Sequence, residues 1–233
     1  MTPDPERSIT GESISNNTDL IGDTMTWWES LEQWRATLFL IGGLILLLDV
    51  LPVVANIRTG AADWLILGQT FVGAGWTAAL VGLLGLYPEF ADRSRWLSRV
   101  GAVFAVIGVV TFGVMAMTSL LYYVGIPSGD YDAISWFFLP GVLIGSVLGF
   151  VTFSTISLRT GIPSRTVGVL LVVPAILVVT NILRFIAGME SATITLGIVI
   201  GDALAMLAIG YVLRTEGVPT DRAEPTPAEV RHD

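Results

Sequence analysis

Six apolar runs, each 20 residues or longer, constrain this chain more than anything else in it. They cover roughly 36–55, 64–87, 100–124, 136–158, 166–187 and 192–213. About 20 apolar residues are what a helix needs to cross the hydrocarbon core of a bilayer. In hydrocarbon every backbone N–H and C=O must be paired within the structure, which makes helix the state of each run. The predicted fold class is all-α: a polytopic transmembrane bundle of six helices. Composition agrees, since 14% of the residues are charged against about 25% in soluble domains.

The net charge of −8 sits in the ends of the chain. Residues 1–35 hold seven acids and two arginines, residues 214–233 five acids and three arginines, and the rest sums to −1. Such acidic ends repel phosphate, so nucleic acid is not an expected partner. Residues 1–23 and 214–233 are polar, without periodicity, and are expected to be disordered acidic tails. The first 35 residues place no basic region before a short apolar one, so no secretory signal peptide is expected. Residues 24–35 read as an interfacial amphipathic helix, with a capping box from Thr26 to Glu29 and Trp27, Leu31 and Trp34 at helical spacing.

Arginine placement predicts orientation. With the N-terminus inside, ten arginines fall on inner segments and only Arg58 and Arg184 on the outer side. That bias puts both termini in the cytoplasm. Pro88 is expected to end the second span, and Asp92 to cap a brief interfacial helix leading into the third. Asp130 and Asp132 lie in an outer loop and are too few for a divalent-ion site.

Small residues mark close helix contacts. Gly141, Gly145 and Gly149 recur every fourth residue in the fourth span, and Gly197, Gly201 and Ala205 do so in the sixth; both strips are expected to pack against neighbouring helices. The turn Arg159–Arg165 has a C-capping Gly161, then Pro163 and an N-cap at Ser164, which makes spans four and five antiparallel neighbours. Pro174 is expected to kink the fifth span.

Few charges remain inside the runs, and they define the candidate site: Asp49 in the first, Arg184 in the fifth and Asp202 in the sixth, with Asn181 one turn from Arg184. At 1.5 Å rise per residue, Arg184 lies about 6 Å from the outer surface, Asp49 and Asn181 about 10 Å, and Asp202 about 15 Å. All four can meet in the outer half of one bundle. Three readings stay open. Arg184 snorkels outward to lipid headgroups; or it pairs with Asp202 or Asp49 as interhelical glue; or the cluster binds or conducts an ion or solute from an outward-facing cavity. One arginine against two ionised acids leaves a site of −1, which favours a cation or a proton over an anion.

Absences narrow the function. There is no cysteine, hence no disulfide or thiolate site. All twelve basic residues are arginine, so no Schiff base can form on lysine. The one histidine is His232, in the tail, which leaves no bis-His haem, no intramembrane H-E-x-x-H zinc site and no Ser-His dyad in the bundle. No P-loop, dinucleotide-binding glycine motif or EF-hand occurs. No cofactor, no metal and no enzymatic activity are expected.

Acidic tails and arginine-only loops resemble proteins of salt-loving archaea. Together with six spans and the Gly161-Ile162-Pro163-Ser164-Arg165 turn, the chain resembles haloarchaeal six-span integral membrane proteins of uncharacterised function. The resemblance implies a multi-pass protein of the cytoplasmic membrane and carries no known activity. The functional expectation is a non-enzymatic accessory or scaffold protein of the membrane. Its partners would be the lipid bilayer and other membrane subunits or further copies of itself. The alternative is a small proton or cation transporter or channel using Asp49, Asn181, Arg184 and Asp202.

Overall fold

The computed structural model describes residues 27–126, 138–189 and 191–216. The expectations for the tail at 1–23, for residues 217–233 of the tail at 214–233, for the Thr26–Glu29 capping box and for Asp130 and Asp132 lie outside what is described, while residues 214–216 continue the last helix instead of belonging to a disordered tail. Among the described residues six helices are long and apolar enough to cross a membrane. Leu44, Val106, Val110, Met117, Ile176, Leu183 and Leu204 are exposed around the outside of the bundle. An apolar surface on this scale is solvated by lipid, and the chain is an integral, multi-pass membrane protein.

The spans pack as a closed ring in chain order. Each contacts the next, and the sixth returns to the first. Both the start of the first span and the end of the sixth lie on one side, termed here the terminal side. The turns at 60–62 and 187–191 lie on the other, the distal side.

The first span consists of helices Trp27–Leu48 and Val50–Thr59, separated at Asp49. Pro52 explains the break: it has no N–H for the carbonyl of Leu48, four residues back, and its ring crowds that carbonyl. The Asp49 N–H turns instead to the Leu46 carbonyl at 3.1 Å. Two expectations change. The interfacial helix predicted for 24–35 is no separate element among the described residues, because nothing between Trp27 and Leu48 breaks a helix. The span also runs on to Thr59, where Gly60 ends it with φ 68°.

The second span, Asp63–Leu84, stops before Pro88. Pro88 instead sits in the first turn of a short helix, Tyr87–Ala91, where a missing N–H leaves no bond unmade. Asp92 stands at the C-terminal end of that helix rather than capping its start, where Leu86 lies; Ser94 precedes the third span, Arg95–Tyr123. Glu89 of the short helix pairs with Arg35 of the first span at 2.6 Å.

The fourth span, Phe138–Thr160, holds a π-helical stretch, Leu143–Leu148. Its glycine groove meets the third span. A Cβ on Gly145 would collide with the Gly108 backbone, and one on Gly141 with Thr111; at Gly149 the nearest atom, Ala105 N, is a relaxed 3.5 Å away. The turn to the fifth span, Arg165–Ile186, forms as its residues dictate. Gly161 takes φ 72° and Ser164 accepts a hydrogen bond from the Val167 N–H at 3.2 Å. Ser154 and Ser157 donate across to the carbonyls of Gly168 and Ser164, at 2.7 and 2.8 Å.

The sixth span, Ala192–Glu216, closes the ring through different glycines from those predicted. A Cβ on Gly43 would lie 2.9 Å from the Ala203 carbonyl, and one on Gly210 2.9 Å from the Ala36 carbonyl. Gly197 faces open space and Gly201 touches only the Leu177 side chain. The expected strip therefore packs on a neighbouring helix only at Gly201, against Leu177 of the fifth span, while the face that meets the first span carries Ala203 and Gly210.

On the terminal side the ring is filled with aromatic side chains. Phe39 meets Phe150 edge-on with centroids 6.5 Å apart, and Trp76 meets Phe150 at 5.7 Å. Phe90 and Phe153 lie 5.4 Å apart. All five except Trp76 are fully buried, and Trp76 is 2% exposed. Such packing leaves that half of the interior dry.

Candidate functional site

Above the aromatic layer, on the distal side, the ring encloses a cavity of about 210 Å³ to which all six spans contribute. Its lining follows helical periodicity. Leu46 and Asp49 come from the first span, Val72 and Trp76 from the second, Val178, Asn181 and Ile182 from the fifth, and Thr195, Val199 and Asp202 from the sixth. Trp76 stacks on Phe112 with centroids 5.3 Å apart, 10° from parallel, and both face the cavity.

The helix break places Asp49. Its side chain is 2% exposed and its Oδ1 has no hydrogen-bond donor. This oxygen lies against Gly68 of the second span, where a Cβ would come within 2.6 Å of it. Only glycine leaves room for the carboxylate there. Asp202 is 7% exposed, and its Oδ1 is also buried without a donor. A carboxylate away from water without a partner is unfavourable by several kcal/mol or more. Two of them opening on one cavity is the feature of this molecule that packing alone does not explain.

Arg184 does not supply the missing partner. Among the described residues it makes no ion pair with Asp49 or Asp202. Its guanidinium donates to the Ser191 carbonyl at 3.3 Å and to the Thr195 hydroxyl. It thereby ties the end of the fifth span to the start of the sixth. The expected pairing of Arg184 with Asp202 or Asp49 as interhelical glue is not formed; its acceptors are neutral oxygens at the distal rim. The side chain is half-buried rather than extended into lipid, and its Nε is buried without a partner.

Of the four predicted residues, the structure brings Asp49, Asn181 and Asp202 to one cavity and leaves Arg184 on its rim, behind Thr195. Sequence reading passed over Gly68, Trp76 and Thr195. Thr195 and Asp202 are seven residues apart, hence on one helix face, and that spacing is a signal available in the sequence. Trp76 stands four residues from Val72 on an apolar span and carries no such signal. Gly68 has none, because its role depends on a side chain of another helix.

No third acidic, histidine or cysteine side chain joins a group able to hold a metal among the described residues. Comparison with protein-family models, with curated proteins and with solved structures gives no match.

Proposed function

We propose that the chain is a non-enzymatic membrane protein that binds a cation or a proton in the distal cavity, as a small transporter or channel does. One observation carries this reading: two buried aspartates, each with an oxygen that has no donor, line a cavity to which every span contributes. Intramembrane carboxylates that face a cavity and lack a protein partner commonly mark ion or proton pathways. The accessory or scaffold role expected from sequence rests on the absence of motifs and assigns these groups no purpose.

The arginine bias and the haloarchaeal resemblance support a cytoplasmic-membrane protein with both ends inside, in which the cavity would face outward. The aromatic layer of Phe39, Trp76 and Phe150 then separates it from the cytoplasm, and conduction requires that layer to part. Reconstitution in vesicles with cation- and proton-sensitive dyes tests the proposal. Flux is expected with the wild type and is expected to fall about tenfold or more in Asp202→Asn, since an ionised partner is worth about 1.5–3 kcal/mol. Equal flux in the two proteins removes Asp202 as a carrier. Absence of flux from both favours the scaffold role.

A further inference from the structure

Donor and acceptor bookkeeping around the cavity, together with its walls, points to the chemistry of its occupant. Asp49 and Asp202 line the cavity, and neither carboxylate accepts a hydrogen bond from the described residues. Thr195 donates its one hydroxyl proton to the Ser191 carbonyl at 3.1 Å and accepts from Arg184. A hydroxyl has one proton and two lone pairs, so what Thr195 has left to offer is an acceptor. Arg184 occupies one of the two lone pairs of Thr195, and the other remains as a third acceptor. An occupant satisfying these atoms must bring its own donors.

The walls do not suit a divalent metal ion. The cavity of about 210 Å³ holds roughly seven waters at about 30 Å³ each. Divalent cations take six or more oxygens, and no third acidic side chain is grouped here among the described residues. Most of the lining is hydrocarbon, from Leu46, Val72, Met115, Val178 and Ile198, with Trp76 beside Phe112. Apolar walls hold an apolar body, and an indole is the aromatic side chain most attractive to a cation.

We infer that the cavity takes a small organic ammonium ion: a primary or secondary amine with a short hydrocarbon body, its N–H groups directed to Asp49 and Asp202. This rests on the cation reading above and names the class of cation.

The test uses the full chain in lipid nanodiscs at constant ionic strength, with radiolabelled n-butylammonium as probe and Na⁺, tetramethylammonium and n-butanol as competitors. The probe is expected to bind, and each competitor to be at least about tenfold weaker, because each lacks either the donors, the body or the charge. Asp49→Asn and Asp202→Asn are each expected to weaken the probe about tenfold, and Trp76→Phe by roughly threefold. Val199→Phe keeps both carboxylates and fills the cavity; it is expected to abolish binding, and it serves where an aspartate variant fails to fold. Binding of Na⁺ without binding of n-butylammonium overturns the amine and leaves the cation reading standing. Displacement by n-butanol as effective as by the amine, or no binding of any cation, overturns the amine and the cation together and leaves only the proton of the reading above. Undiminished probe binding in the folded aspartate variants also overturns both.

Discussion

The terminal and distal halves of the bundle are made of the same six helices, yet they fill their interiors in opposite ways. On the terminal side, Phe39, Phe90, Phe150 and Phe153 are fully buried and touch one another or Trp76. On the distal side, the same ring leaves about 210 Å³ unfilled and points two carboxylates into it. Lipid tails are as apolar as the core, so burial against them provides little drive for helix association; close packing does more. The terminal half supplies that packing and holds the ring together. The distal half can then carry charges that no stable core would keep. Substitutions in the two halves should consequently separate stability from binding.

The largest effect is expected at Phe150. It is fully buried and meets both Phe39 and Trp76. Phe150→Ala removes the centre of the layer and is expected to destabilise by about 3–5 kcal/mol, read as a fall in thermal midpoint in nanodiscs. A change much below this would mean that the layer is no tighter than the cavity above it, and the contrast between the halves would fail.

Asp49→Asn and Asp202→Asn probe the other half. Each keeps the shape and removes a charge with no donor, so stability is expected to stay within about 1 kcal/mol of wild type or to rise, while cation binding weakens about tenfold. A large loss of stability in either variant would show that the carboxylate has a structural partner. Gly68→Ala sharpens the point from the backbone side. Its Cβ would come within 2.6 Å of Asp49 Oδ1 and must displace the carboxylate, so about 1–3 kcal/mol of overpacking is expected, together with weakened binding. Normal binding in that variant would remove Asp49 from the site.

How much of this was legible in the sequence follows the same division. Helix number and order can be read from the length of the apolar runs, because backbone pairing in lipid leaves no other choice. Asp49, Asn181 and Asp202 stand out because a polar group in such a run is conspicuous by itself. What could not be read is everything that depends on rotation about a helix axis. The partner of Arg184 is one such case: at its depth both carboxylates and the rim oxygens of Ser191 and Thr195 were within reach, and the neutral pair lies nearer the distal surface. Pro52 is visible in the sequence, but that it breaks the helix at Asp49 is not. The ring order is another case, since six runs joined by turns allow several arrangements of neighbours.

The two glycine strips make the smallest and most discriminating comparison, because their sequences look alike and their surroundings do not. Gly141, Gly145 and Gly149 face the third span, and a Cβ on Gly145 would run into the Gly108 backbone. Backbone cannot swing aside as a side chain can, so Gly145→Ala is expected to destabilise by about 1–3 kcal/mol. Gly197 is exposed and has nothing within 4 Å of the place a Cβ would occupy. It lies within the sixth helix, where alanine restricts the unfolded chain and suits the helix better by about 0.5–1 kcal/mol. Gly197→Ala is therefore expected to raise the thermal midpoint slightly and to leave binding unchanged. A lowered midpoint would show that something packs on Gly197 in the bilayer. The natural candidate is then another copy of the chain or a further membrane subunit, and a crosslinking assay through that face would tell the two apart.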